Sequence, residues 1–273
     1  MGANFLIVGQ NSFLAGRFRA LTTTNGTCRF VSHQYLDAST PDDFRSFDCI
    51  VNFACDPDYR SGQYSEIRDF DVRLAEAVRG AGAHYIMLSS RAVYSPDVAL
   101  RASESSVATG NHTAYGRNKL KTECTLQTVL GDRLTILRMA NIIGYELDGG
   151  RRTFMALALN RLKSKGQIRL DISPEVRRDF LPDCTFVRAL DRVLQEPCGG
   201  LLNVGSGQAI RVGDIASWLI EGYGAGNLVV SDHRVHDEFV LNVQRLSSRY
   251  GIHSTRENVE DYCRKIGSRL RLS

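Results

Sequence analysis

Tyr115 and Lys119 stand four residues apart in the stretch Thr113-Ala-Tyr115-Gly-Arg-Asn-Lys119-Leu-Lys-Thr-Glu123. If that stretch is helical they are neighbours on one face. An ammonium beside a phenol favours the phenolate and lowers a pKa that starts near ~10, which gives an acid or base usable near neutrality. The alternative is an exposed helix whose Tyr and Lys touch nothing. With 10 tyrosines and 5 lysines in 273 residues, roughly 0.2 such pairs are expected by chance, so the surroundings must decide.

A second stretch could hold a phosphate. Phe5-Leu-Ile-Val8 is an apolar run of the kind found in a strand buried on both faces, and Gly9-Gln-Asn11-Ser12-Phe13-Leu14-Ala15-Gly16-Arg17 leads from it into a helix. Strand, small-residue loop and helix amino terminus together seat a pyrophosphate on backbone N–H groups. Dinucleotide folds place three small residues here, and this chain offers Gly9, Ser12 and Ala15. A plain strand-turn-helix corner is the competing reading. A second strand over 29–32 ends in Ser32-His33-Gln34. An acid at that end binds the ribose hydroxyls of NAD and repels the extra phosphate of NADP. Its absence favours NADP(H) over NAD(H), with His33, Arg17 or Ser32 toward the phosphate and Asp37 toward the adenine. Phe53 and Ala54, at the end of the apolar run 48–54, would let a ligand approach closely.

Strands are expected over 48–54, 83–88 and 134–137, with helices over 64–79 and from 113. Strand alternates with helix, which implies an α/β fold with a parallel sheet covered on both faces and a ligand at the carboxyl ends of the strands. Ser89-Ser90-Arg91-Ala-Val-Tyr94 begins at that edge. Residues 95–112 are polar and mixed and read as a loop at the site mouth. Residues 144–152 break the rhythm and mark entry into a smaller lobe. A helix over 153–165, strands over 167–170 and 176–180, a helix over 186–194, a strand over 201–204 and helices over 212–222 and 256–266 complete the chain.

The composition narrows the function. Apolar residues make up 43% and charged residues 23%, as in folded globular chains, so disorder has no support. The net charge of +4 is dispersed, without the clustered footprint of nucleic-acid binding. Seven cysteines form no Cys-x-x-Cys pair, which argues against a disulfide framework or zinc cluster and for a reducing, cytoplasmic setting. No apolar run is long enough to cross a membrane. His233-Arg-Val-His236 lacks a third ligand, so no metal site is expected.

Taken together, Gly9-x-x-Ser12-x-x-Ala15, Asn52-Phe-Ala54, Ser89-Ser90-Arg-Ala-Val93-Tyr94, Tyr115-x-x-x-Lys119, Leu137-Arg-Met-Ala-Asn141-Ile-Ile-Gly144, Arg178-Asp-Phe180 and Leu202-Asn-Val-Gly205-Ser-Gly207 resemble the extended short-chain dehydrogenase/reductases. The likeness is to the branch of sugar-nucleotide epimerases, dehydratases and reductases, and it covers roughly residues 4 to 260. It implies a Rossmann-type doubly wound parallel sheet with a smaller mixed α/β C-terminal substrate lobe. The dinucleotide-binding domain would comprise 1–144 plus about 181–205, and the substrate lobe 145–180 plus 206–273. It further implies Tyr115 as acid/base, Lys119 on the nicotinamide ribose, and Ser90 on the substrate carbonyl or hydroxyl. Arg91, Tyr94, Asn141 and Arg178 would contact a nucleotide-sugar substrate, Arg178 gripping its diphosphate; a surface pair of Arg178 with Asp179 is the alternative. Two departures stand out. Pro182-Asp183-Cys184-Thr185 replaces the usual acids after Arg-Asp-Phe, and the helix after Asn52 lacks an asparagine common in relatives.

Three functions follow from this reading. The favoured one is an NAD(P)H-dependent reductase of a nucleotide-linked keto sugar; an NAD-dependent epimerase is the runner-up. A dehydratase would need an acid pair where Arg91-Ala92 stands. A nonenzymatic cofactor sensor would be expected to lose the tyrosine or lysine. Pairing through two helices, common in such relatives, leaves a homodimer open.

Overall fold

Strand residues two apart point to the same sheet face, and β1 (Asn4–Val8) distributes its apolar run accordingly. Phe5 and Ile7 pack with Ala15, Phe18 and Phe186 on one side, while Leu6 and Val8 pack with Leu74, Val78 and Leu126 on the other. Such a strand can only be central, with helices on both faces. The protein, seen in a computed structural model that describes residues 2–55, 57–60, 62–98, 100–110, 113–147 and 152–273, is built on this plan. β1, β2 (Thr27–Val31), β3 (Cys49–Asn52) and β4 (His84–Ser90) join strands Leu134–Met139 and Gly200–Val204 in a six-stranded parallel sheet. The order is Gly200–Val204, Leu134–Met139, β4, β3, β1, β2. The winding reverses at β1, which lies between β2 and β3, and the crevice at such a switch point is where ligands bind in sheets of this kind.

Helices α1 (Phe13–Leu21), α2 (Phe70–Val78) and α3 (Ala114–Leu130) make three of the four connections among the first five of these strands, and short 3-10 turns join β2 to β3. Each begins where a side chain satisfies an otherwise orphaned backbone N–H: Ser12 accepts from Ala15, Asp69 from Asp71, and Thr113 from Gly116. The cap at Asp69 is why α2 starts at Phe70 and not at 64 as the pattern suggested. A second apolar cluster gathers α4 (Phe154–Lys165), α5 (Asp183–Gln195) excepted, with α6 (Val212–Tyr223) and, past α7 (Gln244–Tyr250), α8 (Arg256–Leu272). There Gly222 and Gly267 let α6 and α8 cross closely, since a Cβ at Gly222 would lie 2.1 Å from the Arg264 carbonyl oxygen.

Two expectations change. The segment 95–112 is not all loop, for Leu100–Ala102 forms a strand parallel to Val240–Leu241, tying the site mouth to the C-terminal third. The strand expected over 176–180 is two pieces: Arg177–Arg178 runs antiparallel to Ile210–Arg211, and Phe180–Pro182 runs parallel to Asn141–Ile143. Residues 99, 111, 112 and 148–151, parts of the expected mouth loop and lobe entry, lie outside the described residues.

Candidate active site

The inward face of α3 is polar where a packed helix is usually apolar. Asn118, Lys119, Thr122 and Glu123 are all buried, and burial of such groups is tolerable only when each is paired. Asn118 donates to the Tyr59 carbonyl at 3.1 Å, Thr122 to Asp69 at 2.7 Å, and Glu123 accepts two bonds from Arg138 Nε and one from its Nη2 at 2.6 Å. Lys119 Nζ donates to the Leu88 carbonyl at 3.1 Å and faces Asp71 Oδ2 at 3.5 Å. These bonds fix the rotation of α3, so Tyr115 at its first turn faces the carboxyl edge of the sheet. Ser90, the last residue of β4, lies at the same edge, where its hydroxyl lowers the phenol's pKa.

Three cavities converge on that point. A groove of about 600 Å³ at the switch point is lined by Gly9, Asn11, Ser12, Phe13, Leu14, Ser32, His33, Phe53, Ala54, Tyr115 and Lys119 among others. A second, of about 860 Å³, takes in Ser90, Arg91, Tyr94, Tyr115 and Asn141. The third, of about 400 Å³, has Ser90, Tyr115, Asn141 and Arg178 in its wall. Tyr115 and Met139 border all three, so one phenol faces both the groove and the space beside it.

The groove suits a dinucleotide. Gly9 has φ +85°, and a Cβ there would lie 2.5 Å from the Ala54 nitrogen, so only glycine lets the loop after β1 pass over the end of β3. The amino terminus of α1 opens into it through Ser12, Phe13 and Leu14, which favours an anion. Among the described residues its wall contains no carboxylate, while Lys119 and Arg60 are both present. His33 packs against Phe70, the ring centres 4.7 Å apart and the planes tilted by 39°.

Some candidates stand elsewhere. Ala15 is fully buried in the core. Arg17 is held at 2.7 Å by buried Asp183, which also accepts from Tyr262, so its guanidinium ties α1 to α5 and α8 and does not line the groove. Asp37 pairs with Arg73 on the surface. Tyr94 reaches the cavity, but its hydroxyl donates to Asn203 at 2.6 Å and its ring carries Arg138 at 4.6 Å. Arg178 does not pair with Asp179. It bonds the Asp237 carbonyl and carboxylate, each at 3.1 Å, and Arg91 holds the same carboxylate, its Nη2 at 2.6 Å. Asp179 is fully buried and accepts from Ser206, Gly207 and Leu241 backbone N–H groups and the Ser206 hydroxyl.

The electrostatics also differ from expectation. The Tyr115 phenol is pushed above its ordinary value because burial outweighs the downward pull of Lys119, with Cys55 raising it and Arg60 and Ser90 lowering it. Lys119 is opposed by burial, yet Asp71 and then Tyr115 hold its ammonium charged, above the ordinary lysine range. Asp71, Arg60, whose guanidinium lies 5.8 Å from the Tyr115 ring centre, and Asp237 escaped the motif reading. Acids in the first turn of a helix, as in Asp69-Phe-Asp71, read as caps, and only Asp69 is one.

A sequence comparison with curated proteins finds no match. Among solved structures, the chain is similar to TunA, an NAD-dependent NDP-hexosamine 5,6-dehydratase of tunicamycin biosynthesis, at TM-score 0.81 and 18% identity over 99% of this chain and 98% of that one. It is similar to UDP-N-acetylglucosamine 4-epimerase from Methanobrevibacter ruminantium M1 at TM-score 0.81 and 16% identity, over 98% of both chains. RMD from Pseudomonas aeruginosa, solved with NADPH, superposes at TM-score 0.77 and 18% identity over 99% of both. The model of the NAD-dependent epimerase/dehydratase family matches residues 16–205. On that match, which spans more than half the chain, the protein belongs to the NAD-dependent epimerase/dehydratase family.

Proposed function

We propose that the protein is an NAD(P)H-dependent reductase of a nucleotide-linked keto sugar, the 4-keto class being the first choice. The observation that carries this reading is that Tyr115 and Ser90 border both substrate-side cavities, while Tyr115 and Lys119 border the groove. Gly9, Ser12, Phe13 and Leu14 would hold a nicotinamide dinucleotide, whose chemistry would be to supply the hydride. Ser90 holds the substrate carbonyl, and Tyr115 donates its proton to the oxygen that becomes an alkoxide. Lys119 keeps positive charge beside the phenol. Asn141 and Arg178 border the space in which the nucleotide diphosphate is gripped, a task suited to a planar guanidinium. The carboxylate-free wall beside Ser32 and His33 supports NADPH over NADH.

A second reading has its own support. Ser90, Tyr115 and Asn141 border two cavities, so a sugar could offer either ring face to the same phenol, as a 4-epimerase requires. Incubating the purified protein with NADPH or NADH and a panel of 4-keto nucleotide sugars, while following oxidation of the nucleotide, separates the two. Turnover preferring NADPH is expected. No turnover, with tightly bound NAD released on denaturation, replaces the reductase with the epimerase.

A further inference from the structure

Both directions of this chemistry use the same tyrosine in opposite protonation states. Reduction asks a phenol to give a proton to the new alkoxide, and oxidation asks a phenolate to take one from a hydroxyl. A lysine with no counter-ion pushes toward the phenolate. Here the lysine has a counter-ion. Asp71 Oδ2 lies 3.5 Å from Lys119 Nζ, and both side chains are almost wholly buried, at 2% and 4% exposure. The carboxylate is held by two further donors, Asn52 Nδ2 at 3.0 Å and the Tyr85 hydroxyl at 2.8 Å, both on Oδ1. Its position is therefore set by β3 and β4 as much as by its own helix. Asp69, two residues earlier, cannot substitute, because it is taken up by Tyr59, Tyr64 and Thr122.

We propose that Asp71 is a positioning residue that takes up the charge of Lys119 and so leaves Tyr115 a proton donor, suiting the site to reduction at neutral pH. This rests on the reductase reading for its meaning, not for its test. Asp71 also draws the ammonium toward the Leu88 carbonyl and the Tyr59 ring, whose centre lies 4.4 Å from Nζ. The other titratable groups facing this trio are Cys55 and Arg60 after β3, Tyr59 in the following turn, Asp69 at the start of α2 and Tyr85 on β4. Burial holds the Asp71 carboxyl above its ordinary value although Lys119 pulls it down, while Asp71 in turn holds the Lys119 ammonium above its own. The overall equilibrium between ketone and alcohol is untouched. What Asp71 changes is the pH at which a phenolate becomes available.

Tyrosinate absorbance tests this without substrate. The pH titration of each protein minus that of the same protein carrying Tyr115→Phe isolates the Tyr115 step. In Asp71→Asn the step should move to lower pH by about one unit or more, and Asp71→Glu should return it toward the wild-type position. Asp71→Thr, which keeps an oxygen for Asn52 and Tyr85, carries the same test if Asp71→Asn does not fold. A Tyr115 step at the wild-type pH or higher in a folded, charge-free variant would overturn the proposal. The titration needs no turnover, so a failed substrate panel and a failed role for Asp71 are distinguishable.

Discussion

The groove and the larger cavity meet at Tyr115 but hold their charges in opposite ways. Around the groove, Arg60 faces the opening with no acidic partner among the described residues, and no carboxylate shares its wall. The larger cavity shares Arg60 with the groove but adds Arg91 and Asp237, whose carboxylate also holds Arg178 in the wall of the third cavity, and Arg91 lies over the Phe239 ring at 3.8 Å. The carboxylate sits on a residue with φ +56°, uncommon for a side chain other than glycine. On the proposed reading, one region receives an anion directly, while in the other a substrate diphosphate would have to replace a carboxylate. Cofactor affinity should therefore depend on shape at Gly9, and substrate affinity on an exchange of partners at Asp237.

The largest effect is expected at the groove. Gly9→Ala forces a side chain into a left-handed conformation and against the end of β3, costing about 2 to 4 kcal/mol of stability. NADPH binding, followed by cofactor fluorescence, should weaken at least about tenfold, because the loop must shift off the end of β3 and away from the dinucleotide, and about 1.4 kcal/mol of lost contact equals a factor of ten. Unchanged binding and melting would remove the shape argument. At the cavity, Asp237→Asn should tighten binding of a nucleoside diphosphate by roughly three- to tenfold, measured by calorimetry. Weaker binding would mean that Asp237 orients the arginines and does not occupy their place. The smallest effect bounds the pH range in which the two regions can be compared. His84 lies at the opposite end of β4, its Nε2 2.8 Å from Thr135 Oγ1, and burial, then Arg133, pushes its pKa from 6.5 down to about 4. The unfolded chain therefore binds a proton that the folded one refuses, and stability is lost as pH falls from about 6.5 toward about 4. The melting temperature should drop by a few degrees over that interval in the wild type and less in His84→Gln.

What the sequence discloses follows from where its signals are local. β1 and the corner at Gly9 are readable because buried parallel strands are continuously apolar and the turn demands small residues. α3 is harder. Its inner face carries Asn118, Lys119, Thr122 and Glu123, so apolar periodicity does not reveal it as a core helix; the Tyr115–Lys119 spacing does. Arg17 and Asp37 were plausible phosphate and adenine contacts, yet their partners, Asp183 and Arg73, lie 166 and 36 residues away, beyond any local pattern. The same holds for Asp71, whose part is fixed by Lys119 on another helix, and for Asp237, which meets Arg91 from 146 residues away. Charge partners chosen by tertiary structure are what the chain order hides.

The central claim is that one phenol serves both regions as the proton donor, and Tyr115→Phe tests it most directly. With NADPH and a 4-keto nucleotide sugar that the wild type reduces, the variant should lose at least about a hundredfold in kcat, while its dissociation constant for NADPH stays within about twofold because the ring and Lys119 remain. Turnover near the wild-type rate would contradict the account.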